Sequence, residues 1–118
     1  MKKIYHLSTC STCQRIMKEW GVDDSFVLQD IKTEPITEDQ IDQMIEMSGS
    51  AEALFSRRAM KYKSMGLADK NLSESDYRQL ILDEYTFLKR PVLVLDDELF
   101  VGNSKKIVAS AKSALEEA

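Results

Sequence analysis

The sequence predicts one α/β domain built on a mixed four-stranded sheet, with a helical insert between the second and third strands. Three observations lead there. The first thirty-odd residues read as strand, helix, strand. Near the other end a short apolar run, Val92-Leu93-Val94-Leu95, is followed by a turn and a returning strand. Between them, over about 37–88, the apolar stripes have helical spacing. A single domain over 1–118 suits a chain of 118 residues, which is long enough for one hydrophobic core.

Each element has its own warrant. Lys2 to Leu7 alternates around Ile4, Tyr5 and Leu7 and predicts the first strand. Ser8 to Thr12 is small and polar, a loop. From Thr12 to Trp20, Ile16, Met17 and Trp20 share a stripe with Cys13, which predicts a helix closed by Gly21. Phe26 to Ile31 predicts the second strand, so the opening unit is a parallel pair joined by a right-handed crossover. Thr37 precedes Gln40 by three residues, the spacing of a capping box, and Ile41, Met44, Ile45 and Met47 form the stripe of a helix ended by Gly49. Short helices are expected over Glu52–Phe55 and Arg58–Met65. Ser73 and Asp76 cap another helix, carried on by Tyr77, Leu80, Ile81 and Tyr85. Pro91 opens the run Val92 to Leu95, a position that proline tolerates in a strand. Asp96-Asp97 turns the chain into a hairpin with Glu98 to Gly102. Ser104 caps a last helix holding Ile107, Val108, Ala111 and Leu115.

Composition narrows the function classes. The chain is 43% hydrophobic and 31% charged, as expected of a globular protein. Its 16 basic and 20 acidic residues give a net charge of −4, which speaks against direct binding to nucleic acid. After Met1-Lys2-Lys3 come His6, Ser8, Thr9 and Ser11 in place of an apolar signal-peptide core, and no stretch reaches the roughly 18 apolar residues of a membrane span. The expectation is a cytoplasmic monomer without membrane contact.

The 2 cysteines, Cys10 and Cys13, are spaced C-x-x-C at the start of the first helix. In a reducing cytosol such a pair points to redox chemistry more than to a structural staple. The first-turn N–H groups of a helix are unpaired and carry partial positive charge, so a thiolate there is stabilised and its reactive fraction rises. Cys10 is then the nucleophile, and Cys13, one turn along, is placed to resolve an adduct on it. The bland alternative is two ordinary cysteines, one packed in the helix. A zinc site needs four ligands, and His6 is the sole histidine, so no metal is expected.

The run Ile4-Tyr5-His6-Leu7-Ser8-Thr9-Cys10-Ser11-Thr12-Cys13-Gln14 resembles the active-site segment of the ArsC family of glutaredoxin-linked arsenate reductases, and of the related Spx regulators. Leu88-Lys89-Arg90-Pro91-Val92-Leu93-Val94 with Phe100-Val101-Gly102-Asn103 is similar to a second shared block. Leu54-Phe55-Ser56-Arg57-Arg58 to Tyr62, with Gly66-Leu67, is similar to the middle helical region. The resemblance implies a thioredoxin-like fold in which Pro91 is a cis active-site proline. It implies that Cys10 attacks an oxyanion, that His6 favours its thiolate, and that Arg90 and Arg58 (or Arg57) bind the anion beside Ser11 and Thr12. Forked guanidinium donors suit tetrahedral oxyanions. The plain alternatives are a half-buried strand residue for His6 and a solvated helix face for Arg57 and Arg58. The chain departs from the reductases in three places. Reductases of this class usually lack the second motif cysteine, here Cys13, which is typical of Spx-like relatives. The region Val101-Gly102-Asn103-Ser104 has no third arginine, and Gln14 stands where relatives often carry arginine.

Two functions follow from the resemblance. One is a thiol-dependent oxidoreductase acting on a small oxyanion or disulfide, with no bound cofactor and with glutathione, glutaredoxin or thioredoxin as electron donor. The other is a redox-sensing regulator that binds the RNA polymerase α subunit. A member with idle cysteines is the third alternative.

Overall fold

The computed structural model describes residues 1–118. The chain forms two compact units. One joins Met1–Glu34 to Arg90–Ala118, and the other is Pro35–Lys89.

The first unit holds the sheet. Strands β1 (Lys2–His6), β2 (Phe26–Asp30), β3 (Val92–Leu95) and β4 (Glu98–Val101) lie in the order β2-β1-β3-β4. β1 and β2 run parallel, with Lys2 opposite Phe26 and His6 opposite Asp30. β3 pairs antiparallel with both β1 and β4. The sheet is therefore mixed, and the helical insert enters between the second and third strands as the sequence predicts. Helix α1 (Ser11–Glu19) makes the crossover from β1 to β2, and α5 (Lys105–Glu117) follows β4.

The two central strands account for the burial pattern. β3 is buried at all four residues, because a central strand covered on both faces needs apolar groups on both. Ile4, Leu93 and Leu95 pack with Ile16 and Trp20 of α1 and with Val108 and Ala111 of α5. The indole N–H of Trp20 donates to the Val108 carbonyl at 3.1 Å, which gives this buried polar group its partner and ties α1 to α5. Tyr5, Val92 and Val94 alternate to the opposite face and are also buried. Asp96 takes a left-handed φ of 54° in the hairpin turn, a conformation aspartate tolerates better than most residues.

The second unit is helical. It comprises α2 (Glu38–Ser48), α3 (Met60–Ser64) and α4 (Glu74–Asp83), with three short 3₁₀ turns. The capping box of Thr37 and Gln40 forms in both directions, as does the one between Ser73 and Asp76. Gly49 closes α2 at a φ of 92°, where a side chain would be strained. Phe55 is fully buried and stacks on Phe87 at 5.0 Å, with Tyr77 and Tyr62 at 4.9 and 5.9 Å. Arg78 forks onto both oxygens of Asp42 and so links α4 to α2.

Two predicted boundaries shift. The third helix starts at Met60, not Arg58. The fourth ends at Asp83, and Tyr85 falls in a separate 3₁₀ turn, Tyr85–Phe87. The backbone has other partners there: Ser56 N–H donates to the Phe87 carbonyl at 2.7 Å and Lys89 N–H to the Leu54 carbonyl at 2.8 Å. Continued helix would forfeit both bonds and pull Phe87 and Leu88 out of burial.

Candidate active site

The site is built where β1 ends and α1 begins. Ser11 opens the helix, and Cys10 sits at its N-cap with extended backbone (φ −90°, ψ 111°) and no side-chain cap bond of its own. That position sets Cys10 directly before the unpaired first-turn N–H groups of the helix. The backbone N–H groups of Cys13 and Thr12, together with the Cys13 thiol, act electrostatically on the Cys10 sulfur and lower its thiol. Arg90 lends positive charge. Partial burial works the other way, yet the combined donors hold the Cys10 thiol below its ordinary value.

Cys13 has the opposite fate. It is fully buried, and burial is the chief cause that pushes its thiol up to about 11. The Cys10 charge adds to that rise, while a backbone hydrogen bond from Leu7 and the charge of Arg90 work against it. One environment therefore moves two identical groups in opposite directions. Both cysteines are free thiols.

Arg90 is half-buried, and its Nε is a buried atom. It precedes Pro91 through a cis peptide bond. Pro91 is buried and its carbonyl accepts the Gly102 N–H at 2.9 Å, which ties the start of β3 to the end of β4. Thus Cys10, Thr12, Cys13 and Arg90 act on one another within the sheet unit. Ser11 is exposed at the first helical position.

His6 is half-buried at the end of β1, and its charge helps to lower the Asp30 carboxyl. Ser8 is the chief cause of that lowering. Arg58 lies in the helical unit, exposed, with its backbone N–H on the Ser56 hydroxyl at 3.4 Å. Arg57 pairs with Glu52 at 2.6 Å and with the Tyr77 hydroxyl at 3.0 Å. That pairing gives Arg57 a role in holding its own unit.

Sequence reasoning passed over the polar contacts of the loop itself. The Ser8 hydroxyl donates to Asp30 at 2.5 Å, and its backbone N–H reaches the other carboxylate oxygen at 3.4 Å. The Gln14 side-chain amide donates to the Ser8 carbonyl. No group of three or more His, Cys, Asp or Glu side chains is placed to hold a metal ion. No helix is long and apolar enough to cross a membrane.

With this geometry in place, comparison with known proteins is decisive at the family level. The model of the ArsC family matches residues 5–111. The chain belongs to the ArsC family.

Two sequence relatives span most of this ArsC-family chain. It is 30% identical over 105 residues to the uncharacterized protein YfgD of Escherichia coli, covering 85% of this chain and 87% of that one. It is 24% identical over 102 residues to the global transcriptional regulator Spx of Lactiplantibacillus plantarum, covering 84% and 76%. Among solved structures, the arsenate reductase of Vibrio cholerae superposes with a TM-score of 0.75 at 17% identity, covering 92% of this chain and 95% of that one. An arsenate reductase (ArsC) related protein of Brucella melitensis superposes with a TM-score of 0.70 at 23% identity, covering 92% of each. These superpositions establish the ArsC thioredoxin-like fold.

Proposed function

We propose that this ArsC-family chain is a thiol–disulfide oxidoreductase with Cys10 as nucleophile and Cys13 as resolving thiol. The observation that carries the reading is the asymmetry of the pair: the donors at the start of α1 and the field of Arg90 lower the Cys10 thiol, while burial raises the Cys13 thiol to about 11.

The steps balance. The Cys10 thiolate attacks one sulfur of a substrate disulfide, forming a Cys10 mixed disulfide and expelling the other sulfur as thiolate. The charge on Cys10 is then gone, and with it two of the causes that held the Cys13 proton in place. Cys13 passes that proton to the departing thiolate or to water and attacks the Cys10 sulfur. The products are a Cys10–Cys13 disulfide and a second substrate thiolate, so the substrate gains two electrons and the pair loses two. A dithiol donor such as thioredoxin, or two molecules of glutathione with glutaredoxin, returns the electrons. Arg90 and the exposed N–H end of α1 at Ser11 favour a substrate with an anionic group. Arsenate is one such oxyanion. His6 and Arg58 enter this reading as the groups that the family resemblance adds.

A coupled assay with arsenate, glutathione and glutaredoxin, run beside a small disulfide substrate, tests the reading. Turnover lost in Cys10→Ser and reduced in Cys13→Ser is expected. Absence of turnover with every substrate contradicts it. The Spx relative and the acidic surface favour a second reading, in which the same pair is a redox switch for binding the RNA polymerase α subunit. That reading requires binding that changes with oxidation.

A further inference from the structure

The loop that delivers Cys10 to the helix end is held from outside by three side chains that have no part in the steps above. β1 and β2 are parallel, so their carboxyl ends lie side by side, with His6 in register with Asp30. The chain leaving β1 passes Ser8 before reaching Cys10. Asp30 receives the Ser8 hydroxyl at 2.5 Å and the Ser8 N–H at 3.4 Å, and also the Lys32 N–H at 3.2 Å. From the other side, Gln14 on the first turn of α1 donates its amide to the Ser8 carbonyl. The Cys10 N–H closes the loop on the Leu7 carbonyl at 2.9 Å.

We propose that Asp30, acting through Ser8 together with Gln14, is a positioning clamp that fixes the Cys10 loop against the first turn of α1. The inference rests on the thiolate reading of Cys10 given above and adds residues that never touch substrate. The physical basis is geometric. The donors at Thr12 and Cys13 lower the Cys10 thiol only while the loop keeps its sulfur beside the first turn of α1. Ser8 lies two residues before Cys10, and its hydroxyl, N–H and carbonyl are all engaged. A charge-assisted bond to a carboxylate is about twice as strong as a neutral one, so Asp30 is the anchor and Ser8 the tether.

The sign of the effect separates positioning from simple electrostatics. Asp30 is negatively charged, so replacing it with asparagine would by Coulomb's law favour the thiolate. Loss of the clamp does the reverse, because the sulfur drifts from its donors. The groups around Asp30 that bear on this balance are His6, Ser8 and the Lys32 backbone.

The test is the pH profile of iodoacetamide alkylation at Cys10, located by peptide mass mapping, with thermal melts run in parallel. Asp30→Asn and Ser8→Ala are expected to move the midpoint upward by about half a unit or more, a threefold or greater loss of rate for each at pH values below the midpoint. The double variant is expected to match the singles, since both cut one tether. Ser8→Thr keeps a hydroxyl and restores the profile. Gln14→Ala, an exposed helix change that is safe for folding, moves the midpoint the same way. A midpoint that stays put in folded variants, falls in Asp30→Asn, or shifts additively in the double variant overturns the clamp alone. An ordinary midpoint in the unaltered protein overturns the clamp and the nucleophile reading together.

Discussion

Cys10 and Cys13 stand one helical turn apart and shift in opposite directions: the Cys13 thiol helps to lower its neighbour, while burial, the larger cause, raises its own proton affinity. Their interaction favours charge on half-buried Cys10 and adds to the burial that holds the proton on Cys13. It also makes Cys13 part of the electrostatic environment of Cys10.

Removing that donor separates the two roles of Cys13. Cys13→Ala loses the thiol donor but retains its backbone N–H, so the Cys10 alkylation midpoint rises. Cys13→Ser keeps a hydroxyl donor and holds the midpoint closer to that of the unaltered protein. Iodoacetamide rates between pH 5 and 10 check the order.

Arg90 contributes through its charge. Arg90→Gln raises the Cys10 midpoint and lowers the alkylation rate a few-fold at pH values below it, the modest effect expected of a partly solvated charge. Arg90→Lys retains most of the thiolate but loses the planar fork. It therefore weakens the affinity for an oxyanion substrate more than it alters thiol reactivity. The comparison of KM with alkylation rate separates the two effects.

Stability should respond to the pair in opposite senses across pH. The Cys10 thiol is lowered in the folded state, so its contribution is complete above the unfolded value of about 8.5 and fades as pH falls through the folded one. The Cys13 thiol is raised to about 11, so its contribution is complete below about 8.5. Between about 8.5 and 11 the unfolded chain gives up the Cys13 proton while the folded chain keeps it. Unfolding free energy then falls by at most about 1.4 kcal/mol per pH unit from this group. Urea melts with reductant at pH 8.5 to 10 should show a steeper decline for the unaltered protein than for Cys13→Ala. Parallel curves would refute the protonated, buried state of Cys13.

The core that sets the helix against the sheet is sensitive to volume. Ile16 is fully buried on α1, one turn beyond Cys13, and packs with Ile4 and Leu93. Ile16→Ala should cost about 2–5 kcal/mol. Trp20 is the chain's one tryptophan and lies in the same cluster, so its fluorescence reports the loss directly.

What the sequence revealed depended on distance along the chain. The placement of Cys10 just before the first helix, the Thr37–Gln40 box and the buried run of β3 are local patterns, and each is present as predicted, though the helix starts at Ser11, one residue earlier than expected. The alternation of β1 and the stripe of α1 likewise sufficed for the strand-helix-strand start. The helix carried through Tyr85 was wrong because the competing partners, the Ser56 and Lys89 backbone groups, come from bonds that no local pattern announces. The contact of Ser8 with Asp30 spans 22 residues and depends on parallel register, so two common polar residues gave no signal. The pairing of Arg57 with Glu52 and Tyr77 was hidden for the same reason. One further cue was within reach: once β1 and β2 are read as parallel, the acidic residue ending β2 must lie near the loop that leaves β1.

The central claim, that Cys10 attacks and Cys13 resolves, meets its most direct test in a trapping experiment. The Cys13→Ser variant and the unaltered protein are exposed to glutathione disulfide, quenched in acid and mapped by mass spectrometry. The prediction is a persistent glutathione adduct on Cys10 in the variant and a Cys10–Cys13 disulfide in the unaltered protein. Equal adduct levels in both proteins, or an adduct on Cys13 in the unaltered protein, would contradict it.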